Sequence, residues 1–193
     1  MTATAEAELA LLPEDLADPI SVALTNMGLQ CSSQPFGISA RIASRVLIVG
    51  VLPPAQEAKR FLDTDQSAWW DLVERTLGSA FERLQRIHDL VENGGGRVVL
   101  VVNDAGICGE PGRSIESAIG GAAIAMTKSL AREFSPKGVS VNAVAVQTNP
   151  LASGDERYGT KVAELVAFLA GLELEHLTGQ IVACNNSTIR ARI

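Results

Sequence analysis

Apolar residues recur at steps of three and four over Ser67–Val91, which is the spacing of one buried face of an amphipathic helix. The pattern predicts a long helix there, and the glycines Gly94–Gly96 are expected to end it. A second helix, rich in small residues, is predicted over Ser114–Phe134, and a third over Lys161–Leu172.

Short β-branched runs alternate with these helices. They predict strands at Ile20–Thr25, Arg45–Val51, Arg97–Val102, Val139–Val146 and Gln180–Cys184. The run at Arg97–Val102 is apolar without alternation, as expected of a strand covered on both faces of a parallel sheet. The alternation predicts an α/β fold with a doubly wound parallel sheet of about five strands. Two architectures stay open, a truncated Rossmann-like sheet and a flavodoxin-like one.

The segment Met1–Pro19 precedes the first of these runs. It is predicted to be a leader, partly helical or loose, because Pro13 and Pro19 interrupt it. Its acidic residues are unlike the positively charged start of a signal peptide. We expect residues 1–193 to form one domain that includes this leader.

Composition excludes several classes of protein. An apolar content of 47% is that of a folded chain rather than of a disordered one. Acidic residues outnumber basic ones by 22 to 16, which argues against nucleic acid as the partner. No apolar run approaches the roughly 18 residues that would cross a membrane.

Cysteine usage bears on the compartment and on metal binding. Cys31, Cys108 and Cys184 are odd in number and widely spaced, which argues against a disulfide framework and against a zinc site. We expect three buried thiols, no metal and a cytoplasmic location.

Four ordered segments carry a resemblance to a known family. They are Gly96-Arg97-Val98-Val99, Met126–Phe134, Gly138–Ala145, and Phe168-Leu169-Ala170 followed by Leu177–Gln180. From Asp65 onward the chain resembles the second half of a short-chain dehydrogenase/reductase, in particular the 3-oxoacyl-carrier-protein reductases. The resemblance implies a Rossmann-like fold and, for complete members, NAD(P)-dependent hydride transfer.

The family's catalytic side chains are a Ser, a Tyr, a Lys four residues after the Tyr, and a helix Asn. Matched to this chain, the Tyr position falls on Glu116, the Lys position on Gly120 and the Ser position on Asn103. The Asn position falls on Thr76. Because a carboxyl group with an ordinary pKa is ionised at neutral pH, Glu116 is a poor proton donor to a ketone. We therefore expect no catalytic residue of the family's kind.

The cofactor motif is also missing from the expected place. The Gly-rich turn that meets a pyrophosphate should follow the first strand, but after Ile20–Thr25 only Asn26-Met27-Gly28-Leu29 follows. The family's Asn-Asn-Ala-Gly becomes Val49–Leu52, and its Pro-Gly becomes Val146-Gln147. We expect no cofactor.

Three other polar residues attract attention. Tyr158, the one tyrosine of the chain, is predicted to be a surface loop residue, with relocated catalysis as the minor alternative. His88 is predicted to be an exposed helical residue without a catalytic role, and His176 a loop residue.

These substitutions lead to three functional hypotheses. The first is a non-catalytic subunit, a pseudoenzyme, that assembles with an active short-chain dehydrogenase/reductase acting on a hydroxy- or oxoacyl thioester. The family's subunit interfaces imply contact through the 67–91 and 114–134 helices and the C-terminal strand. Within the second helix, Gly120–Ala123 form a smooth stripe that allows close approach of a partner; the alternative is that this stripe packs on the chain's own sheet. The second is an independent ligand-binding or regulatory homodimer. The third is an enzyme with relocated groups at Glu116, Asp104 or Tyr158.

Overall fold

The computed structural model describes residues 6–32, 44–92, 94–147, 156–171 and 176–184. Within them lies one parallel sheet whose strands are β1 (Glu6–Ala10), β2 (Gln30–Ser32), β3 (Ser44–Val51), β4 (Gly96–Asn103), β5 (Val139–Val146) and β6 (Ile181–Cys184). The strand order is β2-β1-β3-β4-β5-β6. The α/β doubly wound fold is confirmed, with six strands rather than about five.

Helices cover both faces of the sheet. They are α1 (Glu14–Asn26), α2 (Gln66–Leu84), α3 (Ile87–Glu92), α4 (Ala105–Cys108), α5 (Ser114–Phe134) and α6 (Glu156–Ala170). One core lies between the sheet and α1 with α6, and the other between the sheet and α2, α3 and α5. No helix among the described residues is long and apolar enough to span a bilayer.

The strand order shows how the truncated Rossmann-like sheet and the flavodoxin-like sheet are related. A Rossmann order of 3-2-1-4-5-6 becomes 2-1-3-4-5 when its outermost strand is removed and the strands are renumbered, and this is also the flavodoxin-like order. The observed sheet is that order with β6 added beside β5. The two descriptions left open by the sequence therefore coincide over the first five strands.

The amino-terminal predictions were wrong. Within the segment predicted as a leader, Glu6–Ala10 form β1, which lies between β2 and β3. The predicted strand Ile20–Thr25 belongs to α1, because Leu16, Ile20 and Leu24 are four residues apart and all buried, as on one helix face. The sequence did not indicate β1 because two of its five residues are glutamates. In the structure Glu8 is buried beside Arg86, with 3.7 Å between Oε2 and Nη2.

The central predictions are confirmed with two changes. Helix α5 has the predicted bounds, and every residue of β4 and β5 is buried, as their apolar runs require. The predicted helix Ser67–Val91 is instead divided into α2 and α3, with Gln85 and Arg86 in a turn between them. Helix α6 begins at Glu156 and not at Lys161, which changes the place of Tyr158.

The family-like motif at the carboxyl end of the chain has a structural role. The side-chain amide of Asn142 donates to the carbonyl of Leu177 (2.8 Å), and its Oδ1 accepts from the backbone N–H of Gln180 (3.0 Å). The hydroxyl of Thr178 accepts from the N–H of Val141 (3.1 Å). These bonds fix the turn before β6 against β5.

Candidate functional site

The carboxyl ends of the parallel strands form the edge where open α/β sheets bind ligands. Buried polar side chains collect there: Asn103 ends β4 and Asp104 follows it, Gln147 follows β5, and Glu116 lies in the first turn of α5. The structure thus brings Asn103 and Glu116 to the same edge, as the resemblance implies.

Glu116 is held in an ion pair. Its Oε1 lies 3.0 Å from Nη1 of Arg113, and the Glu116 side chain is only 6% exposed. The same guanidinium nitrogen also donates to the backbone carbonyl of Gln56. Sequence reasoning missed Arg113, although its i, i+3 spacing from Glu116 on a helix was the available signal. The carboxylate of Glu116 therefore already accepts a hydrogen bond from a residue of its own chain, Arg113.

The Lys position of the family has no space for a side chain. A β-carbon on Gly120 would lie 2.5 Å from the carbonyl oxygen of Asn103 and 3.0 Å from the nitrogen of Gly106. A β-carbon on Gly106 would in turn lie 2.3 Å from the carbonyl carbon of Gly120. Helix α5 therefore touches the turn after β4 backbone to backbone, and Asn103 Oδ1 accepts from the N–H of Ala105 within that turn (2.8 Å).

The loop after β3 closes over this region. The N–H of Lys59 donates to the carbonyl of Gly112 (2.9 Å), and a β-carbon on Gly112 would lie 3.2 Å from that of Ala58. With the bond from Arg113 to Gln56, these contacts attach the loop to the start of α5. The space next to Glu116 is thus bounded by the chain's own backbone.

Thr76 lies away from Glu116. It lines a cavity of about 560 Å³ between the ends of β1 and β3, and neither Asn103 nor Glu116 contributes to that lining. The four positions matched to the catalytic residues therefore do not meet in one described cavity.

The turn that would face a pyrophosphate is Leu11-Leu12-Pro13, between β1 and α1. From the sequence alone this turn is expected after Ile20–Thr25, because residues 1–19 are predicted to form a leader. The turn contains no glycine, and Pro13, the N-cap of α1, has no N–H to donate. Glu14 and Asp15 occupy the first turn of the helix, where a phosphate would need positive potential.

The residues Asn26–Leu29, first considered for that role, instead end α1. The N–H groups of Met27 and Gly28 return to the carbonyls of Leu24 and Thr25, and Gly28 has a φ of 83°. This is the usual glycine termination of a helix.

Tyr158 is not a loop residue, and that prediction was wrong. It lies in α6 and is fully buried. The N–H of Gln147 donates to its hydroxyl oxygen (2.7 Å), and the hydroxyl donates to the carbonyl of Cys184 (2.6 Å). Burial raises the pKa of Tyr158 far above its ordinary value. A proton relay needs access to substrate, so this residue ties β5 to β6 instead.

The histidines and cysteines lie apart from one another and differ in burial. His88 is exposed and lies 3.2 Å from Glu92 within α3, and His176 is exposed. Cys184 is buried and burial raises the pKa of its thiol, but Cys31 is half-buried and Cys108 exposed, so the prediction of three buried thiols was wrong. Among the residues that the structure covers, no three metal-ligating side chains form a cluster.

Comparison with known proteins identifies the family. Residues 39–150, more than half of the chain, match the family model described as enoyl-(acyl carrier protein) reductase. The chain belongs to the short-chain dehydrogenase/reductase family.

Individual relatives agree with this assignment. The 3-oxoacyl-[acyl-carrier-protein] reductase of Staphylococcus epidermidis is 29% identical over 139 residues, which are 62% of this chain and 57% of that protein. The corresponding reductase of Staphylococcus aureus is 30% identical over 139 residues, 62% of this chain and 56% of that protein. The match thus spans little more than half the length of these relatives.

A solved structure has the same fold. Acetoin dehydrogenase from Enterobacter cloacae superposes with a TM-score of 0.77, covering 95% of this chain and 94% of that one, at 21% identity. This likeness concerns the fold alone.

Proposed function

We propose that this chain is a non-catalytic subunit that assembles with an active short-chain dehydrogenase/reductase. The observation that carries the proposal is the contact at Gly120, where a β-carbon would lie 2.5 Å from the carbonyl oxygen of Asn103. A lysine at the family's position would displace the turn after β4. The backbone geometry of the site, as well as its side chains, therefore argues against the family's proton relay.

Glu116 does not replace the missing tyrosine. A general acid must hold a proton and reach the substrate. Glu116 is buried against the guanidinium of Arg113, and an ionised carboxylate only accepts hydrogen bonds. The loop attached through Gln56 and Lys59 lies over the same region. This arrangement supports a structural role for the residue.

An exposed apolar stripe on α2 supports the assembly. Trp70 and Phe81 are 56% and 59% exposed, and their separation of eleven residues places them on one side of the helix, whereas Leu77 between them is partly buried against the core. Large apolar side chains exposed in a row on a regular helix are typical of contact surfaces. The outer edge of β6 is a second candidate, since among the described strands β6 pairs with β5 alone.

Part of the expected contact surface is used within the chain. Gly120 packs on Gly106 and Asn103, so it belongs to the fold and not to an interface. Gly121 and Ala122 are half-buried and Ala125 is exposed, and these small residues leave the outer side of α5 open to a neighbouring helix. The proposed contact therefore uses the outer sides of α2 and α5 together with β6.

The names of the relatives support a substrate class for the proposed complex. Both reductases above are named for 3-oxoacyl groups on an acyl-carrier protein. We infer that the active partner reduces an oxoacyl thioester or oxidises a hydroxyacyl thioester.

The test is isolation of the tagged chain from its own host, with the mass of the eluted complex measured under native conditions. We expect a second short-chain dehydrogenase/reductase with an intact Tyr-x-x-x-Lys, in a fixed ratio. Phe81→Asp should remove it, whereas Val22→Asp, an equally exposed apolar residue on α1, should not.

Two results would contradict the proposal. One is reduction of an oxoacyl thioester by the purified chain with NADH or NADPH. The other is a homodimer without a partner enzyme, which favours the ligand-binding alternative.

A further inference from the structure

The cavity between the ends of β1 and β3, the β1–β3 cleft, has a volume of about 560 Å³. It lies where the strand order changes direction, because β1 is followed by β2 on one side and β3 by β4 on the other. Open α/β sheets bind their ligands at this point, and the volume is in the range of small-molecule sites. The cleft retains the position of a ligand site.

Its walls are mostly apolar. The turn after β1, the loop after β3 and one residue of α2 provide them, namely Leu11, Leu12, Leu52, Pro53, Pro54 and Leu72. This surface suits a hydrocarbon body and offers little to a ribose or a phosphate.

The floor of the cleft is built on an unusual backbone conformation. Leu11 has a φ of 57°, in the left-handed region that non-glycine residues rarely adopt. Gly50 permits it, because a β-carbon there would lie 2.3 Å from the carbonyl oxygen of Leu11. The Leu11 side chain is 42% exposed and lines the cleft. Strained residues of this kind concentrate at ligand sites.

The two lips of the cleft have opposite charge. The α2 lip carries Arg75, Thr76 and Ser79. Arg75 forms no ion pair with a described residue. Its Nε donates to the backbone carbonyl of Asp71 (3.2 Å). On the α1 lip is Asp15, with Glu14 beside it. A negative group on a ligand is attracted to the α2 lip and repelled by the α1 lip.

The dinucleotide of complete family members does not fit these residues. Its pyrophosphate needs N–H donors and a positive helix terminus, whereas Pro13 has no N–H and the carboxylates of Glu14 and Asp15 oppose the positive potential there. A ligand with one carboxylate and no phosphate meets no such conflict.

We propose that the β1–β3 cleft binds a small apolar monocarboxylic acid, with its hydrocarbon body against Leu11, Leu52 and Leu72 and its carboxylate on Arg75. The hydroxyls of Thr76 and Ser79 are available to the same carboxylate. This inference goes beyond the assembly proposed above, because it requires no partner chain.

The experiment is calorimetric titration of the purified full chain with hexanoate and, as an uncharged match, hexanamide. We expect one-site binding of hexanoate, at least about ten-fold tighter than hexanamide, since hydrogen bonds to charged groups exceed neutral ones by this order. Arg75→Gln should weaken hexanoate about ten-fold and leave hexanamide unchanged. Arg132→Gln, an exposed arginine of α5 far from the cleft lining, is the matched control and should change neither.

A second variant tests the apolar wall. Leu11→Asn retains a residue that tolerates the left-handed region while removing the apolar side chain, so the fold should persist and both ligands should bind more weakly. The proposal is overturned if hexanoate shows no saturable binding, if the two ligands bind equally, or if Arg75→Gln has no effect. Competition of NADH with hexanoate would also overturn it. None of these results concerns the partner enzyme, so the two proposals fail independently.

Discussion

A β-carbon on Gly120 would lie 2.5 Å from the carbonyl oxygen of Asn103, so α5 crosses the end of β4 at a distance that excludes any side chain. Two positions that carry catalytic side chains in complete members of the family are joined here by direct backbone contact. This contact is buried in the fold, so these two positions are best tested by stability measurements.

The neighbouring glycines Gly120 and Gly121 make a matched pair. Gly120→Ala should destabilise the fold by about 1–3 kcal/mol, because the new methyl group overpacks the turn after β4. Gly121→Ala should stabilise by about 0.5–1 kcal/mol, because its β-carbon would lie 3.9 Å from the carbonyl oxygen of Gly106 and alanine favours a helix interior. Urea unfolding of both variants measures the difference, and equal effects would show that the contact is absent.

The ion pair between Arg113 and Glu116 should contribute to stability through its burial. Arg113→Ala leaves the carboxylate of Glu116 without this partner and also releases the carbonyl of Gln56, at an expected cost of about 2–4 kcal/mol. Glu116→Gln should be milder, since an amide oxygen still accepts from Arg113. Hydrogen exchange at the amide of Lys59 should accelerate in Arg113→Ala. Unchanged exchange would exclude this attachment of the loop.

Tyr158 provides an optical test, because it is the one tyrosine of the chain. Its raised native pKa means that the unfolded state ionises first, so the stability it contributes is complete below about pH 10 and is lost as the pH rises further. Phenolate absorbance should therefore appear together with unfolding and not before it. Smooth ionisation of the folded chain near pH 10 would contradict the burial.

Tyr158→Phe isolates the hydroxyl. The variant leaves the N–H of Gln147 and the carbonyl of Cys184 without this partner inside the fold, and we expect a loss of about 1–3 kcal/mol. Tyr158 is one of the three residues of the relocated-catalysis alternative, with Glu116 and Asp104, so any oxoacyl reduction that depended on this hydroxyl would support that alternative.

Glu8 should make the free energy of unfolding depend on pH in the acid range. Burial raises its pKa above the usual value, and the nearby Arg86 offsets this only in part. Because the pKa of Glu8 is higher in the folded chain than in the unfolded chain, the protonated side chain contributes its full stability below the unfolded pKa. This contribution is lost as the pH rises through the folded pKa. Glu8→Gln should therefore be at least as stable as the parent chain at pH 7, with the difference shrinking toward pH 4. A large loss in this variant at pH 7 would show that the ion pair outweighs the burial.

Several features followed from the sequence alone. The runs at β4 and β5 are continuous and apolar because both of their faces are covered, and the small-residue helix α5 ends at a proline and a glycine that cannot continue it. The family motif around Asn142 and Thr178 was readable because its bonds join residues of fixed type. Local periodicity and backbone chemistry are sufficient for elements of this kind.

Other features were decided by tertiary contacts. Strand β1 contains a buried glutamate whose burial is offset only in part by the nearby Arg86, and Tyr158 is a core residue because its hydroxyl finds partners at the ends of β5 and β6. The sequence by itself determined the fold class and which residues stand at the positions matched to the family's catalytic side chains. Only the tertiary structure decided that backbone occupies the space beside Gly120 and that an apolar cleft lies beside α1, because both depend on close approaches between different segments of the chain.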